Sequence, residues 1–91
     1  MATAAARSSP LPRLTLLVRA YCHLCDEMRE ALAPQAAAAG YAIDEIDVDA
    51  DPALEARWGA QVPVLLDGAR ELCHFRLDHA ALAAFFAAAA R

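Results

Sequence analysis

The chain has no lysine, and its eight basic residues are all arginine, placed singly between Arg7 and Arg91. A nucleic-acid surface needs clustered cations to displace counterions from phosphates, and the net charge of −4 runs the other way. The same scatter excludes a polybasic membrane patch. No apolar run approaches the ~20 residues that cross a bilayer; Leu14 to Val18 is only a short one. The first residues hold alanines and one arginine without a leucine-rich secretory stretch, so a cytoplasmic address is expected. Cysteine is sparse, at three. In a reducing compartment three thiols do not make a structural framework, and a close pair is catalytic or metal-binding.

What is present fits one small domain. Ninety-one residues suffice for one unit and not two. Alanine supplies 25 of them, so the core must come from the Leu, Val, Ile and aromatic residues set between the alanines. Residues 1–12, rich in Ala, Ser and Pro, read as a disordered tail, and residues 13–91 as the folded domain. Arg13 to Arg19 is a buried parallel strand by its continuous apolar run. Asp26 to Ala39 carries strong helix formers, with Leu24, Met28 and Leu32 at helical spacing. Pro34 is expected to kink that helix or end its regular part, and Gly40 to stop it. Tyr41 to Val48 alternates as a second strand. Asp51 and Pro52 open a short helix ending near Trp58. Val62 to Leu66 forms a third strand, Asp67-Gly68 a hairpin turn, and Arg70 to Phe75 an antiparallel fourth. Asp78 caps a last helix reaching Ala90. The order β-α-β-α-β-β-α predicts an α/β fold, a four-stranded mixed sheet with helices on both sides.

Cys22 and Cys25 form a Cys-x-x-Cys pair where the first strand meets the first helix. Unpaired N–H groups and the helix dipole there favour negative charge. Disulfide exchange proceeds through a thiolate, and such placement lowers a thiol pKa from about 8.5 into the range of roughly 3.5–7.5. Cys22 is then the nucleophile, and Cys25, one turn deeper, resolves the mixed disulfide. The same spacing also serves zinc knuckles, so the pair alone leaves metal binding open. Pro63 at a strand start cannot donate to a ladder. Alone it would be an ordinary first strand residue. Beside the cysteine pair and this element order, Val62–Pro63 is expected to be a cis step that turns the backbone toward the cysteines, where Val62 can pair with an extended thiol substrate.

Arg19-Ala20-Tyr21-Cys22-His23-Leu24-Cys25, the Gln61-Val62-Pro63 step and the Asp67-Gly68 turn together resemble the glutaredoxins, and more closely the small glutaredoxin-like bacterial proteins. The resemblance covers about residues 13–90. It implies the thioredoxin fold in its minimal glutaredoxin-like form and thiol–disulfide oxidoreductase activity. It also implies a binding role for Arg19, near a glutathione carboxylate, and for Tyr21 beside the thiol. The chain departs from the pattern at Gln61, where glutaredoxins use Thr. It departs again at Leu72, Cys73, His74, Phe75 and Arg76, where they carry Gly-Gly followed by acids. Glutathione as co-substrate and a protein dithiol as reductant therefore stay equally open.

Each remaining candidate has two readings. His23 either steadies the Cys22 thiolate or is a polar residue at an exposed turn. Cys73 is a small core residue or a third redox thiol. His74 and His79 read as a strand histidine and a helix-start residue, and a zinc site of Cys22, Cys25, Cys73 and His74 lacks a second close ligand pair. A calcium loop from Asp47 would need Gly and Glu where Pro52 and Trp58 stand. Trp58 is expected to pack on the sheet. The expected activity is exchange with protein or small-molecule disulfides, by a monomer with no bound cofactor. Competing readings are an iron–sulfur cluster or metal module held through Cys22, and a non-catalytic thioredoxin-like adaptor.

Overall fold

A computed structural model describes residues 10–91; the expected tail falls mostly outside the described residues. Strand β1 (Arg13–Val18) leads into helix α1 (His23–Ala39) and strand β2 (Ala42–Asp47). A 3₁₀ turn (Val48–Ala50) precedes helix α2 (Pro52–Trp58), and a second (Gly59–Gln61) follows it. Strands β3 (Val64–Asp67) and β4 (Arg70–His74) form a hairpin, and helix α3 (His79–Ala89) closes the chain.

The strands lie in the order β2-β1-β3-β4. β1 runs parallel to β2 and antiparallel to β3, which is antiparallel to β4. Strand side chains alternate between faces, and β1 is apolar on both, as a central strand must be. Leu14, Leu16 and Val18 pack with Met28, Leu32 and Ala36 of α1, Leu82 of α3, Leu65 and Cys73. Leu17 packs on the other face with Val48, Trp58, Val64 and Leu66, and Leu54 of α2 joins them. Helices α1 and α3 thus cover one face and α2 the other. On β4 the alternation breaks. Leu65 pairs with Cys73 but Leu66 with Glu71, so Leu72 is an extra residue in a bulge. Leu72 and Cys73, neighbours in sequence, both reach the α1/α3 side.

Several boundaries differ from expectation, each for a local reason. Pro34 does not end α1, which continues to Ala39 and stops on Gly40 with φ 78°. The carbonyl that Pro34 leaves without a helical donor belongs to Glu30. Both residues are exposed, so water replaces the lost bond, while buried Leu32 and Ala36 hold the helix to the sheet. Val48 leaves β2 for the 3₁₀ turn and is fully buried against Trp58. β3 begins at Val64, after Pro63. The hairpin turns on Gly68-Ala69 rather than Asp67-Gly68, because Asp67 pairs with Arg70. Gly68, φ 60°, fills the first central position, where a type II′ turn needs glycine.

The acidic stretch between β2 and α2 is consumed by structure. Asp44 binds Arg13 through two bonds of 2.8 and 2.6 Å, and Glu45 binds Arg29 at 2.7 and 2.9 Å. Asp47 accepts the Asp49 N–H at 2.9 Å, and Asp51 accepts that of Ala53 at 2.9 Å as the cap of α2. Leu16, with no exposed surface, lies in the middle of β1 under α1 and α3. We expect Leu16→Ala to destabilise the fold by about 2–5 kcal/mol through lost transfer and a cavity. A urea unfolding midpoint equal to that of the parent would contradict this core assignment.

Candidate functional site

After Val18 the chain leaves the sheet through Arg19, Ala20 and Tyr21 and enters α1 at Cys22. Tyr21 takes the left-handed region, φ 56°, uncommon for a bulky residue, and its side chain is wholly exposed. Cys22 is the N-cap of α1. Its extended backbone, φ −110° and ψ 103°, lets Sγ turn back and accept the N–H of Cys25 at 3.1 Å. A sulfur thus does what Ser or Asp usually does at a helix start. Cys22 and Cys25 are joined by a disulfide, with their Cα atoms 5.1 Å apart. Cys25 is 1 % exposed inside the α1/α3 core, whereas Cys22 is half-buried at its edge.

The β3 end of the sheet supplies the opposite wall. Leu17 pairs with Val64, so continuing that register sets Val18 and Arg19 level with Pro63 and Val62. The Val62–Pro63 peptide bond is cis, Pro63 is buried, and half-buried Val62 touches both cores. The carbonyl of Pro63 accepts the N–H of Phe75 at 2.9 Å. Phe75, also left-handed at φ 65°, is 44 % exposed. Tyr21 and Phe75 are thus both aromatic residues held in a sparsely populated backbone region.

The other predicted residues are placed as follows. His23 is exposed beyond Cys22 and meets Glu27 at 2.8 Å, one turn along α1. Arg19 is held by the fold. It donates through Nε and Nη2 to Asp49 at 3.0 Å each, through Nη2 to Glu55 at 3.2 Å, and through Nη1 to the Gly59 carbonyl at 3.2 Å. Four of its five N–H groups are spent, and the bond to Asp49 leads in raising the guanidinium pKa above its ordinary value. A Cβ on Gly59 would stand 2.6 Å from Glu55 Oε2, so a larger residue there would push the Glu55 carboxylate aside. Gln61 Oε1 is buried with no hydrogen-bond partner among the described residues.

Cys73 lies buried on β4, and burial pushes its thiol pKa up. His74 binds Glu71 at 2.6 Å, and His79 meets Gln35 at 3.1 Å; neither joins a cysteine. Among the described residues no three His, Cys, Asp or Glu side chains gather as a metal site. No described helix is long and apolar enough to cross a membrane. Trp58 packs under the sheet, with the Arg57 guanidinium 3.9 Å above its ring. Sequence reasoning missed Asp49, Glu55 and Gly59 as partners of Arg19, because the contact spans 30 to 40 residues. It also missed Glu27, which binds both His23 and Arg76; only its i, i+4 spacing from His23 offered a hint.

A four-stranded mixed sheet between helices, with a Cys-x-x-Cys disulfide capping the first helix, is the arrangement of the thioredoxin fold. Residues 13–87 match the Glutaredoxin-like domain (DUF836), and the chain belongs to that family. An uncharacterized protein of Mycobacterium tuberculosis is 35 % identical over 72 residues, 74 % of either chain. Among solved structures, a protein of Nitrosomonas europaea aligns with TM-score 0.73 and 29 % identity, covering 86 % of this chain and 94 % of that one. A protein of X. campestris aligns with TM-score 0.66 and 46 % identity, covering 82 % and 96 %. Thioredoxin 1 of Thermosipho africanus shares the fold, with TM-score 0.60 at 18 % identity over 87 % and 99 % of the two chains.

In the disulfide form Cys73 is the sole thiol. We expect it to react slowly with a thiol reagent at neutral pH, to speed up only above the ordinary thiol range, and to react fully on unfolding. Rapid labelling of the native oxidised protein at neutral pH would contradict its burial.

Proposed function

We propose that this protein is a thiol–disulfide oxidoreductase, with Cys22 as nucleophile and Cys25 as resolving thiol. The observation that carries the reading is the seat of the Cys22 sulfur at the N-cap of α1, accepting a main-chain N–H, while its partner sits buried below. In the reduced protein that N–H and the positive end of the helix favour a thiolate at the same place. The thiolate attacks one sulfur of a substrate disulfide, and the second substrate sulfur leaves as a thiolate that takes a proton. Cys25, deprotonated, attacks Cys22 Sγ, releases the first substrate sulfur, and forms the Cys22–Cys25 disulfide. An external dithiol returns the pair to its reduced state by the reverse exchange. Cytoplasmic residence suits this cycle, since reduced thiols persist there.

The commitment of Arg19 favours a protein dithiol over glutathione as that reductant. An arginine recognises a carboxylate best through two parallel N–H donors, and here one N–H remains. Asp49 and Glu55 already accept the Arg19 donors that a glutathione carboxylate would need.

Cys22→Ser is expected to abolish reduction of a model disulfide. Cys25→Ser should still attack and then accumulate mixed disulfides, visible as adducts by mass spectrometry. Retained turnover in Cys22→Ser, or no adducts on Cys25→Ser, would sink the assignment.

A further inference from the structure

A groove of about 260 Å³ lies between α1 and the segment that joins β4 to α3. One wall starts inside the Cys-x-x-Cys motif at Leu24 and continues through Met28; the other is Phe75 and Leu77. Because the Phe75 N–H is held by the Pro63 carbonyl, this second wall is fixed to the Val62–Pro63 step. The floor is apolar, and charge sits at the rim, where Arg76 meets Glu27.

Arg76 differs from the other arginines tied into the fold. Arg13, Arg19 and Arg29 each make paired bonds of 3.2 Å or less to carboxylates, and Arg57 lies over Trp58. Among the described residues Arg76 has one ionic contact, Nη1 to Glu27 Oε1 at 3.5 Å, and its side chain is 76 % exposed. Glu27 is held more closely by His23, at 2.8 Å. The guanidinium therefore keeps most of its donors for another carboxylate, and it lines a groove whose first wall residue, Leu24, stands between the two cysteines in sequence.

We propose that this groove selects the disulfide substrate. It takes an extended polypeptide whose cysteine is flanked by an aliphatic residue, seated against Leu24, Met28 and Leu77, and by an acidic residue paired with Arg76. The proposal rests on the oxidoreductase reading above and adds a substrate class to it. Arg76 is a specificity-determining residue here, and the Glu27 contact is the one an incoming carboxylate replaces.

The test uses the reduced full-length protein and synthetic peptides, each with one cysteine in mixed disulfide with a chromophoric thiol. Cys22 attacks, the chromophoric thiol leaves, and Cys25 closes the protein disulfide as the peptide thiol departs. The peptides carry Leu on one side of the cysteine and Glu, Gln or Lys on the other; a small uncharged disulfide is run in parallel. The parent protein should show a kcat/KM about fivefold higher for the Glu peptide than for the Lys peptide, the size a partly exposed charge pair supplies. Arg76→Glu should reverse that order. Equal rates for all three peptides, or a Glu preference that survives Arg76→Glu, would overturn the proposal while leaving the oxidoreductase reading intact. Failure to reduce even the small disulfide would overturn both.

Discussion

A helix that starts against a sheet leaves N–H groups pointing out of its first turn, and something must accept them. In this protein the acceptor is the sulfur of Cys22, 3.1 Å from the Cys25 nitrogen. As a disulfide sulfur it is a weak, neutral acceptor; as a thiolate it is a charged one at the favourable end of the dipole. The same few atoms thus cap the helix and, in the proposed cycle, carry the nucleophile. The surrounding fold keeps that junction in place. β1 is sealed on both faces, Cys25 is anchored in the α1/α3 core, and Pro63 is tied to Phe75 on the facing side.

Charge is distributed to the same end. Arginine is the only basic side chain besides histidine, and three of the described arginines serve as struts. Arg13 and Arg29 tie β1 and α1 to β2, and Arg19 ties the end of β1 to the Asp49 turn and to α2. Such exposed pairs contribute little each to stability, on the order of 0–1 kcal/mol. Their effect is to use up cations near the first cysteine and to leave the apolar groove with Arg76 at its rim. The proposed substrate choice thereby falls to the loop after β4 rather than to the strand end, where Arg19 is occupied.

Much of this was legible in the sequence because it depends on local chemistry. Asp51-Pro52 opens a helix wherever it occurs, Gly40 ends one, and a strand-to-helix junction occupied by cysteine announces itself. The order of elements followed from those signals, and the pairing of Cys22 with Cys25 from their spacing. Context supplied the rest. Pro34 breaks a helix only if its freed carbonyl is buried, and Glu30 faces water. The bulge at Leu72 turns two successive residues to one core, which no alternation rule anticipates. The clamp on Arg19 joins residues from three elements, and the position of Asp49 in a turn beside β1 exists only once the sheet has formed. Likewise, nothing in the letters His-Phe-Arg marks Phe75 as left-handed or Arg76 as a groove residue.

The central claim is that the N-cap sulfur is the reactive one. It is tested most directly by alkylating the reduced protein over a range of pH and locating the label by mass spectrometry. The account predicts that Cys22 is labelled first and at a pH below that needed for a free cysteine, with Cys25 protected. Labelling of Cys25 ahead of Cys22, or a Cys22 profile that follows free cysteine, would contradict it.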